Sequence, residues 1–501
     1  MNRSRHQTVS RGACFLKSAG IVTCMLLSGQ TMSAQSPMLK FQVAGLSDGD
    51  TIYLANYYGN KMYYADTAVV GSKGRFEYAS PAPDKGGKYG LVLPENGFIE
   101  LVVTGDPVEL TADVANLPGS VVVKEGEDTR LFYEYLGFIQ QMREKRGPID
   151  ARAKDSTLTE AERMQLTQDL EVLNLQVEAE QDRLQEEHGN TLFAKMIRMV
   201  REPDVPEAPY DAANPQLWRY YRFRNMYWDR VDFNDGRLVR DPALHNLLEQ
   251  YWNGVMPQLP DTAMVEVNKL IERAAGDPDM FKYLVHFFTF SAEKSQVMCM
   301  DKVFVDLVDR YYASGRADWL NEEQLKKVVD RAEDLRYSLC GNRIPNIILP
   351  DTSQQKWVSL YDVEAEYTLV SIWESTCGHC KKEMPKLEEL YAEWHPKGLE
   401  IYAIGNDFEP EPWLEFVREK DIKDWIHVSD NPRINAADSA TALIVAGVTT
   451  LQSLNFRTTF DVYATPKMFL LDKDKRVIAK QVGAEQIAEI LARQEMEKSQ
   501  R

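Results

Sequence analysis

The sequence predicts a multidomain protein in which an N-terminal all-β sandwich and an all-α middle domain precede a C-terminal α/β domain. Two observations predict this: the hydrophobic periodicity changes twice along the chain, and 501 residues suffice for about three domains. With 44% apolar and 27% charged residues, the composition is globular and excludes a disordered chain. We expect a removable leader over 1–34, a β domain over 38–125, a helical domain over 126–340 and an α/β domain over 341–501.

The charge balance restricts the class of partner. Asp and Glu outnumber Lys and Arg by 76 to 58, which gives a formal net charge of −18. A nucleic-acid-binding protein needs a basic surface that replaces phosphate counterions, so we expect no nucleic-acid partner. Arginines do alternate with aromatic residues over 217–228, but that pattern also fits a helix that buries its aromatic rings. No stretch reaches the ~18 apolar residues that would span a bilayer, so we expect no transmembrane segment in the mature chain.

The leader over 1–34 has the composition of an export signal. Basic side chains precede an apolar run at 19–27, and small residues follow at 31–36. This order is typical of a secretory signal peptide, although an apolar first helix of the fold is the alternative. We therefore expect export to the periplasm or cell envelope, where each cysteine of the mature chain is either paired or reactive. Those cysteines are Cys299, Cys340, Cys377 and Cys380.

The β domain is predicted from alternation. Apolar and polar residues alternate from about Leu39 to Glu125, with turn residues every eight to twelve positions, as in a β-sandwich. The predicted strands begin at Leu39, Thr51, Arg75, Phe98, Val108 and Val121.

The middle domain is predicted from a helical period between Asp128 and Tyr337. Thr159 and Glu162 form a capping box, and the helix that they open carries leucines on one face. We expect this helix to pack against a preceding helix around 131–142. Further helices are predicted over 215–228, 242–252, 263–275, 280–290, 302–312 and 322–335. The pattern favours a bundle or a short stack of helix pairs.

After Gly341 strand and helix patterns alternate. A short hairpin is followed by a buried strand over 367–373, a helix to about Trp394, a strand over 399–404 and a helix over 412–420. A second hairpin and a final helix end the chain. This order of elements is that of the thioredoxin fold.

A Cys-x-x-Cys pair lies where the buried strand of this domain runs into its helix. A structural zinc site needs a second pair or suitably spaced histidines, and neither is present, so we expect no metal. A pair at a strand-to-helix turn instead predicts a dithiol–disulfide site. Cys377 falls at the helix start, where free N–H groups and the helix dipole stabilise a thiolate. Cys380, one turn further, is placed to resolve a mixed disulfide.

Two further positions are candidates for the same site. Glu383 lies three residues beyond Cys380 on the same helix face; it either handles the proton of the buried thiol or is a solvated carboxylate. Pro466 opens a strand that we expect to face the cysteines. A cis bond there would bring the backbone of Thr465 to the sulfurs and offer pairing groups to an extended substrate.

These residues form a recognisable pattern. It reads Trp373-x-x-x-Cys377-x-x-Cys380-Lys-Lys-Glu383-x-Pro385, with Thr465-Pro466 ahead of a strand at 469–472. The pattern resembles the thioredoxin-like thiol–disulfide oxidoreductases of the TlpA/ResA type. The whole chain is similar to multidomain versions from Bacteroidetes, whose leading β and helical domains have no assigned chemistry. The resemblance implies that the two cysteines cycle, that the proline is cis and that the acidic residue assists.

The site and partners follow from the pair and from this resemblance. Catalytic roles are predicted for Cys377, Cys380, Glu383 and Pro466. Substrate binding is predicted for Trp373, His379, Thr465 and Pro466. The expected partners are disulfide-bearing envelope proteins and an upstream thiol–disulfide electron donor, with no cofactor. The resemblance also implies a role in cytochrome c maturation or redox homeostasis.

Departures from the family's pattern leave the direction of electron flow open. Thr376 replaces the usual tryptophan, and Gly378-His379 replaces Gly-Pro and resembles protein disulfide isomerases. A histidine between the sulfurs stabilises the thiolate and makes the couple more oxidising. Thioredoxin and disulfide isomerase differ by about 4 kcal/mol, which is enough to reverse the direction. The segment 435–454 also looks like an insertion ahead of the proline.

Two other functions remain open from the sequence. The chain could be a partner-binding scaffold in which the Cys377–Cys380 pair is a structural or sensing disulfide. A peroxiredoxin-like peroxidase is the other enzyme class, although that class has a threonine three residues before its reactive cysteine, where this chain has Glu374. Cys299 and Cys340 either pair with each other or are two buried thiols.

Overall fold

The computed structural model describes residues 37–420, 422–430 and 437–499. The predicted signal peptide over 1–34 lies outside these residues. Among the helices that are described, none combines the length and the apolar character needed to cross a bilayer.

The N-terminal region is a sandwich of two four-stranded sheets, as predicted. The strands are β1 (Met38–Ala44), β2 (Thr51–Tyr58), β3 (Lys61–Val69), β4 (Arg75–Ala79), β5 (Gly87–Val92), β6 (Phe98–Val103), β7 (Val108–Asp113) and β8 (Val122–Glu125). The sheet orders are β4-β1-β7-β8 and β3-β2-β5-β6, and β1 and β7 are parallel. Alternate side chains of both sheets, such as Phe41 and Leu91, fill the core between them.

The sequence missed β3 and β5. Nearly every side chain of β3 is exposed, so this edge strand has no buried alternation to read. In β5, glycines at 87 and 90 interrupt the apolar pattern. A Cβ at Gly90 would lie 2.2 Å from the Phe98 ring, so this close approach needs glycine.

The middle region is helical. Its helices are α1 (Glu127–Ala153), α2 (Glu160–His188), α3 (Leu192–Val200), α4 (Pro215–Met226), α5 (Pro242–Gln250), α6 (Pro260–Arg273), α7 (Pro278–Lys294), α8 (Asp301–Leu307) and α9 (Glu322–Arg336). Thr159 and Glu162 form the predicted capping box at the start of α2, and α2 packs beside α1. The short helix α3 was not predicted. Single π-helical turns extend α5 and α8 to Val255 and Ala313.

The C-terminal region has the thioredoxin-like α/β arrangement that the sequence predicted. It comprises β9 (Ile348–Pro350), β10 (Trp357–Ser359), β11 (Tyr367–Trp373), α10 (Gly378–Trp394), β12 (Leu399–Gly405), α11 (Pro410–Glu419), β13 (Ile426–Ser429), α12 (Ala437–Val445), α13 (Leu451–Leu454), α14 (Phe456–Thr459), β14 (Lys467–Asp472), β15 (Val477–Lys480) and α15 (Ala484–Ser499). The main sheet has the order β13-β12-β11-β14-β15. β11, β12 and β13 are parallel, whereas β14 and β15 form an antiparallel hairpin in which β14 pairs with β11 in the antiparallel sense.

The hairpin, one strand and the segment ahead of β14 differ in how far the sequence predicted them. β9 and β10 form the predicted short hairpin, whereas β13 was not predicted. The described part of the segment that looked like an insertion, 437–454, forms α12 and α13 between β13 and β14.

A disulfide connects the helical region to the C-terminal region. Cys299, just before α8, is bonded to Cys340, which follows α9, with 5.7 Å between their Cα atoms. Of the two possibilities left open by the sequence, the pair is therefore the one observed. Met298, beside Cys299, packs against the C-terminal core.

Candidate active site

The two remaining thiols lie where β11 meets α10. All seven residues of β11 are buried in the centre of the sheet, which fixes the position of the turn that follows it. Cys377 is the N-cap residue of α10, and its Sγ accepts a hydrogen bond of 3.4 Å from the backbone N–H of Cys380. Cys377 is half-buried, whereas Cys380 is 1% exposed. One sulfur is therefore open to a partner and the other is covered by the fold.

The surroundings shift the two thiols in opposite directions. Burial acts to raise the pKa of Cys377, but the Thr465 side chain and the N–H groups of Cys380 and His379 outweigh it and lower the pKa below its ordinary value. Burial raises the pKa of Cys380 to about 11. At neutral pH the thiolate therefore forms much more readily at Cys377 than at Cys380.

The loop before β14 lies against Cys377. The Thr465–Pro466 peptide bond is cis, as the family resemblance implied. The Cys377 thiol donates a hydrogen bond of 3.3 Å to the Thr465 carbonyl. The structure thus brings together Cys377, Cys380, Thr465 and Pro466, which are separated by up to 89 positions in the chain.

Glu383 contacts a neighbouring element. Its carboxylate accepts a hydrogen bond of 2.7 Å from the backbone N–H of Ala484, the first residue of α15. Its side chain is 19% exposed and lies 3.9 Å from the ammonium of Lys386. A carboxylate at a helix N-terminus stabilises that helix through its free N–H groups. Glu383 therefore fixes α15 against α10, a contact that neither sequence interpretation anticipated.

Trp373 and His379 occupy contrasting positions. Trp373 is fully buried, packs against Phe416 at 5.1 Å between ring centroids, and has no surface open to a substrate. We therefore do not retain Trp373 among the proposed substrate contacts, because the last residue of a central strand points into the core. His379 is exposed on the first turn of α10, beside the half-buried sulfur.

Family models match two parts of the chain. The model described as the AhpC/TSA family matches residues 340–480, and a domain of unknown function, DUF5106, matches residues 163–338. Among curated proteins, the thiol–disulfide oxidoreductase ResA of a Bacillus cereus strain is 30% identical over 143 residues, which are 28% of this chain and 69% of that protein. The chain belongs to the ResA family of thiol–disulfide oxidoreductases.

Another curated protein and two solved structures also match parts of the chain. ResA of Oceanobacillus iheyensis is 32% identical over 98 residues, which are 19% of this chain and 51% of that protein. A thioredoxin-like protein from Bacteroides caccae is 21% identical with a TM-score of 0.43, over 58% of this chain and 99% of that one. A domain of a possible thiol–disulfide isomerase from Cytophaga hutchinsonii is 35% identical with a TM-score of 0.27, and the match covers 32% of this chain and 97% of that one.

The site of this ResA-family oxidoreductase includes a residue that sequence reasoning missed. Asp407 is buried just beyond β12 and accepts hydrogen bonds from the backbone N–H of Ser375, at 3.0 and 3.2 Å, and from its hydroxyl. Ser375 lies two residues before Cys377, so Asp407 holds the turn that presents the sulfur. The available signal was a carboxylate directly after a buried strand parallel to β11, because such strands end at the same edge of the sheet.

The other side chains that could bind a metal are dispersed. Over 37–420, 422–430 and 437–499, no group of three or more His, Cys, Asp or Glu side chains is arranged to hold an ion. The thiols of Cys377 and Cys380 are the unpaired cysteines of these ranges.

Proposed function

We propose that this chain is an exported oxidoreductase that exchanges disulfides with proteins of the cell envelope through Cys377 and Cys380. The observation that carries the proposal is the contrast between the two sulfurs. Cys377 is accessible and has a lowered pKa, whereas Cys380 is buried and has a pKa of about 11. An attacking thiol and a resolving thiol require this difference.

The proposed reaction begins with the Cys377 thiolate. It attacks one sulfur of a substrate disulfide, forming a mixed disulfide and expelling the other substrate sulfur as a thiolate that takes up a proton. Cys380 then loses its proton and attacks the Sγ of Cys377. This step closes the Cys377–Cys380 disulfide and releases the second substrate thiol, so two electrons pass from the enzyme to the substrate. An upstream dithiol donor restores the reduced pair.

Other residues have supporting roles in this proposal. The backbone of Thr465 and Pro466 lies beside Cys377 and offers pairing groups to an extended substrate segment. His379 is exposed where the substrate would approach. Glu383 is proposed to assist the proton transfer of Cys380, and its hydrogen bond to Ala484 holds the carboxylate in a fixed position on α10.

The direction and cellular role of the reaction are part of the proposal. The Gly378-His379 dipeptide favours a more oxidising couple than thioredoxin, which suits isomerisation of substrate disulfides as well as their reduction. Family resemblance supports a role in cytochrome c maturation or redox homeostasis. Export is supported by the signal-like leader over 1–34, and N-terminal sequencing of the envelope protein should find the chain starting between about residues 34 and 37.

Trapping tests the proposal directly. In envelope extracts, Cys380→Ser should accumulate mixed disulfides with partner proteins, because the captured substrate cannot be released. The matched variant Cys377→Ser should trap none, since it lacks the attacking sulfur. Equal trapping by both variants would show that the assignment of Cys377 as the attacking sulfur and Cys380 as the resolving sulfur is wrong.

Two assays separate the alternative functions. A scaffold with a structural disulfide would have a reduction potential below about −300 mV and would not reduce insulin. A peroxidase would consume hydrogen peroxide in a reaction that depends on Cys377. We expect insulin reduction, a potential above about −300 mV and negligible peroxide turnover.

A further inference from the structure

The loop that carries Thr465 and Pro466 begins at a buried carboxylate, Asp461, and ends at a lysine, Lys467, that binds this carboxylate. Asp461 is 7% exposed and has a left-handed backbone, with a φ of 52°. The Lys467 ammonium lies 3.2 Å from the Asp461 carboxylate and also donates to its main-chain carbonyl. Because Lys467 directly follows Pro466, these bonds close the loop from 461 to 467 on itself.

The second cation on Asp461 comes from the helical region. Arg331 of α9 donates through both terminal nitrogens to the Asp461 carboxylate, across 130 positions of the chain. The same guanidinium lies 5.6 Å from the centroid of the Tyr463 ring and 3.4 Å from the carboxylate of Glu293 on α7. Arg331 therefore touches the active-site loop at two residues while it is anchored to its own helical region.

A second attachment holds the same end of the β14–β15 hairpin. Lys480 ends β15 opposite Phe469, close to where Lys467 begins β14. Its ammonium is buried, pairs with Asp301 and donates at 2.8 Å to the Ser338 carbonyl. Both acceptors lie two residues from a half-cystine of the disulfide between the two regions. The helical region thus binds the β14–β15 hairpin at the end where β14 follows the active-site loop.

We propose that Arg331 is a positioning residue for disulfide exchange: through Asp461 and Lys467 it fixes the loop that holds Thr465 and Pro466 against Cys377. This inference rests on the proposed function of Cys377. The physical reason is that a buried carboxylate shared by two cations loses much of its compensation when one cation is removed. With one cation gone, fewer interactions stabilise the unfavourable left-handed backbone conformation of Asp461. The loop can then move, and Thr465 loses its alignment with the sulfur of Cys377.

The test compares four variants of the full chain. Arg331→Met removes the guanidinium at similar length, and Asp461→Asn removes the carboxylate charge. Arg336→Met is the matched control, because Arg336 is also on α9 but pairs with Asp309 and Glu333 inside the helical region. Arg331→Lys keeps a positive charge at the same position and tests whether that charge restores the loop.

Two readouts distinguish positioning from general stability. The first is the pKa of Cys377, taken from the pH dependence of iodoacetamide alkylation of the reduced pair. The second is the rate of insulin reduction. We expect Arg331→Met and Asp461→Asn to raise the pKa of Cys377 by about one unit and to slow insulin reduction roughly tenfold. About threefold of this slowing follows from the smaller thiolate fraction, and the rest follows because the Thr465 backbone no longer aligns the substrate with the sulfur. The control Arg336→Met should stay within about twofold of the original protein in rate, and Arg331→Lys should retain the lowered pKa of Cys377 at least in part.

The outcomes separate this inference from the proposed function. If the original protein reduces insulin with a lowered Cys377 pKa, and Arg331→Met and Asp461→Asn leave both unchanged, Arg331 has no positioning role. If Arg336→Met has the same effect as Arg331→Met, the effect belongs to the stability of α9 and the inference is equally wrong. An original protein with an ordinary Cys377 pKa and no insulin reduction would instead refute the proposed function.

Discussion

The contribution of the Thr465 hydroxyl to the Cys377 thiolate can be isolated by one nearly isosteric change. In Thr465→Val the side chain keeps its shape but loses the donor that helps to lower the pKa of Cys377. A hydrogen bond to a charged group contributes about 1.5–3 kcal/mol, and one pKa unit corresponds to about 1.36 kcal/mol. Because Cys377 is only half-buried, we discount this range for solvent screening and expect a rise of about one unit.

The effect on rate is smaller than the change in pKa suggests. A rise of one unit lowers the thiolate fraction at neutral pH by up to about tenfold. The more basic thiolate is also the stronger nucleophile, with a Brønsted coefficient of about 0.4–0.5, which recovers about threefold. We therefore expect exchange with a disulfide substrate to slow by roughly threefold.

The assay is alkylation of the reduced pair by iodoacetamide across pH 5 to 10, with insulin reduction measured in parallel. Thr376→Val is the matched control, because Thr376 directly precedes Cys377 and is exposed to solvent. An unchanged alkylation midpoint in Thr465→Val, or an equal shift in Thr376→Val, would refute the assignment of the lowered pKa to the loop.

Three further predictions concern the residues around the pair. Asp407→Ala should destabilise the fold by about 2–4 kcal/mol in urea unfolding, because two donors of Ser375 lose their acceptor, and adding Ser375→Ala should recover part of this loss. Replacing Cys299 and Cys340 by serine should lower the unfolding free energy by up to about 4 kcal/mol, since the closed loop has a sequence separation of 41. Cys380, with a pKa of about 11 against an ordinary 9.0, should resist alkylation below about pH 10. Because its pKa is higher in the folded than in the unfolded protein, the protonated thiol adds to the unfolding free energy of the reduced protein below pH 9. This contribution should be lost as the pH rises through 11.

The elements with a regular pattern were predictable. The buried run of β11, the capping box of α2 and the turn spacing of the sandwich are local signals, and each produced the expected element. β3 was missed because it is an exposed edge strand without a buried face. The helix α3 had a readable pattern, with Lys195 and Arg198 between apolar residues, and no physical obstacle explains why it was missed.

The active-site residues also differ in whether a local sequence pattern predicted their positions. The position of Cys377 at a helix start follows from three local facts: a buried strand, a Cys-x-x-Cys pair and a helical pattern after it. A proline at 466 permits a cis bond, but the residue itself left the isomer open, and only the family resemblance implied the cis form that the structure has. Trp373 was assigned to the substrate by resemblance, but the structure buries it completely because it still belongs to the central strand.

The contacts that hold the site in place could not be derived from local patterns. A buried charge needs a partner, but local patterns did not predict that Asp461 and Lys467 are largely buried or that they pair. Which cation completes the cluster depends on how α9 packs against the hairpin, and Arg331 is 130 positions away. Only the fold shows that the helical region supplies one of the two cations that compensate the charge of Asp461. Any change that detaches Arg331 from Asp461 leaves the carboxylate to Lys467 alone, which is the state that Arg331→Met is designed to produce.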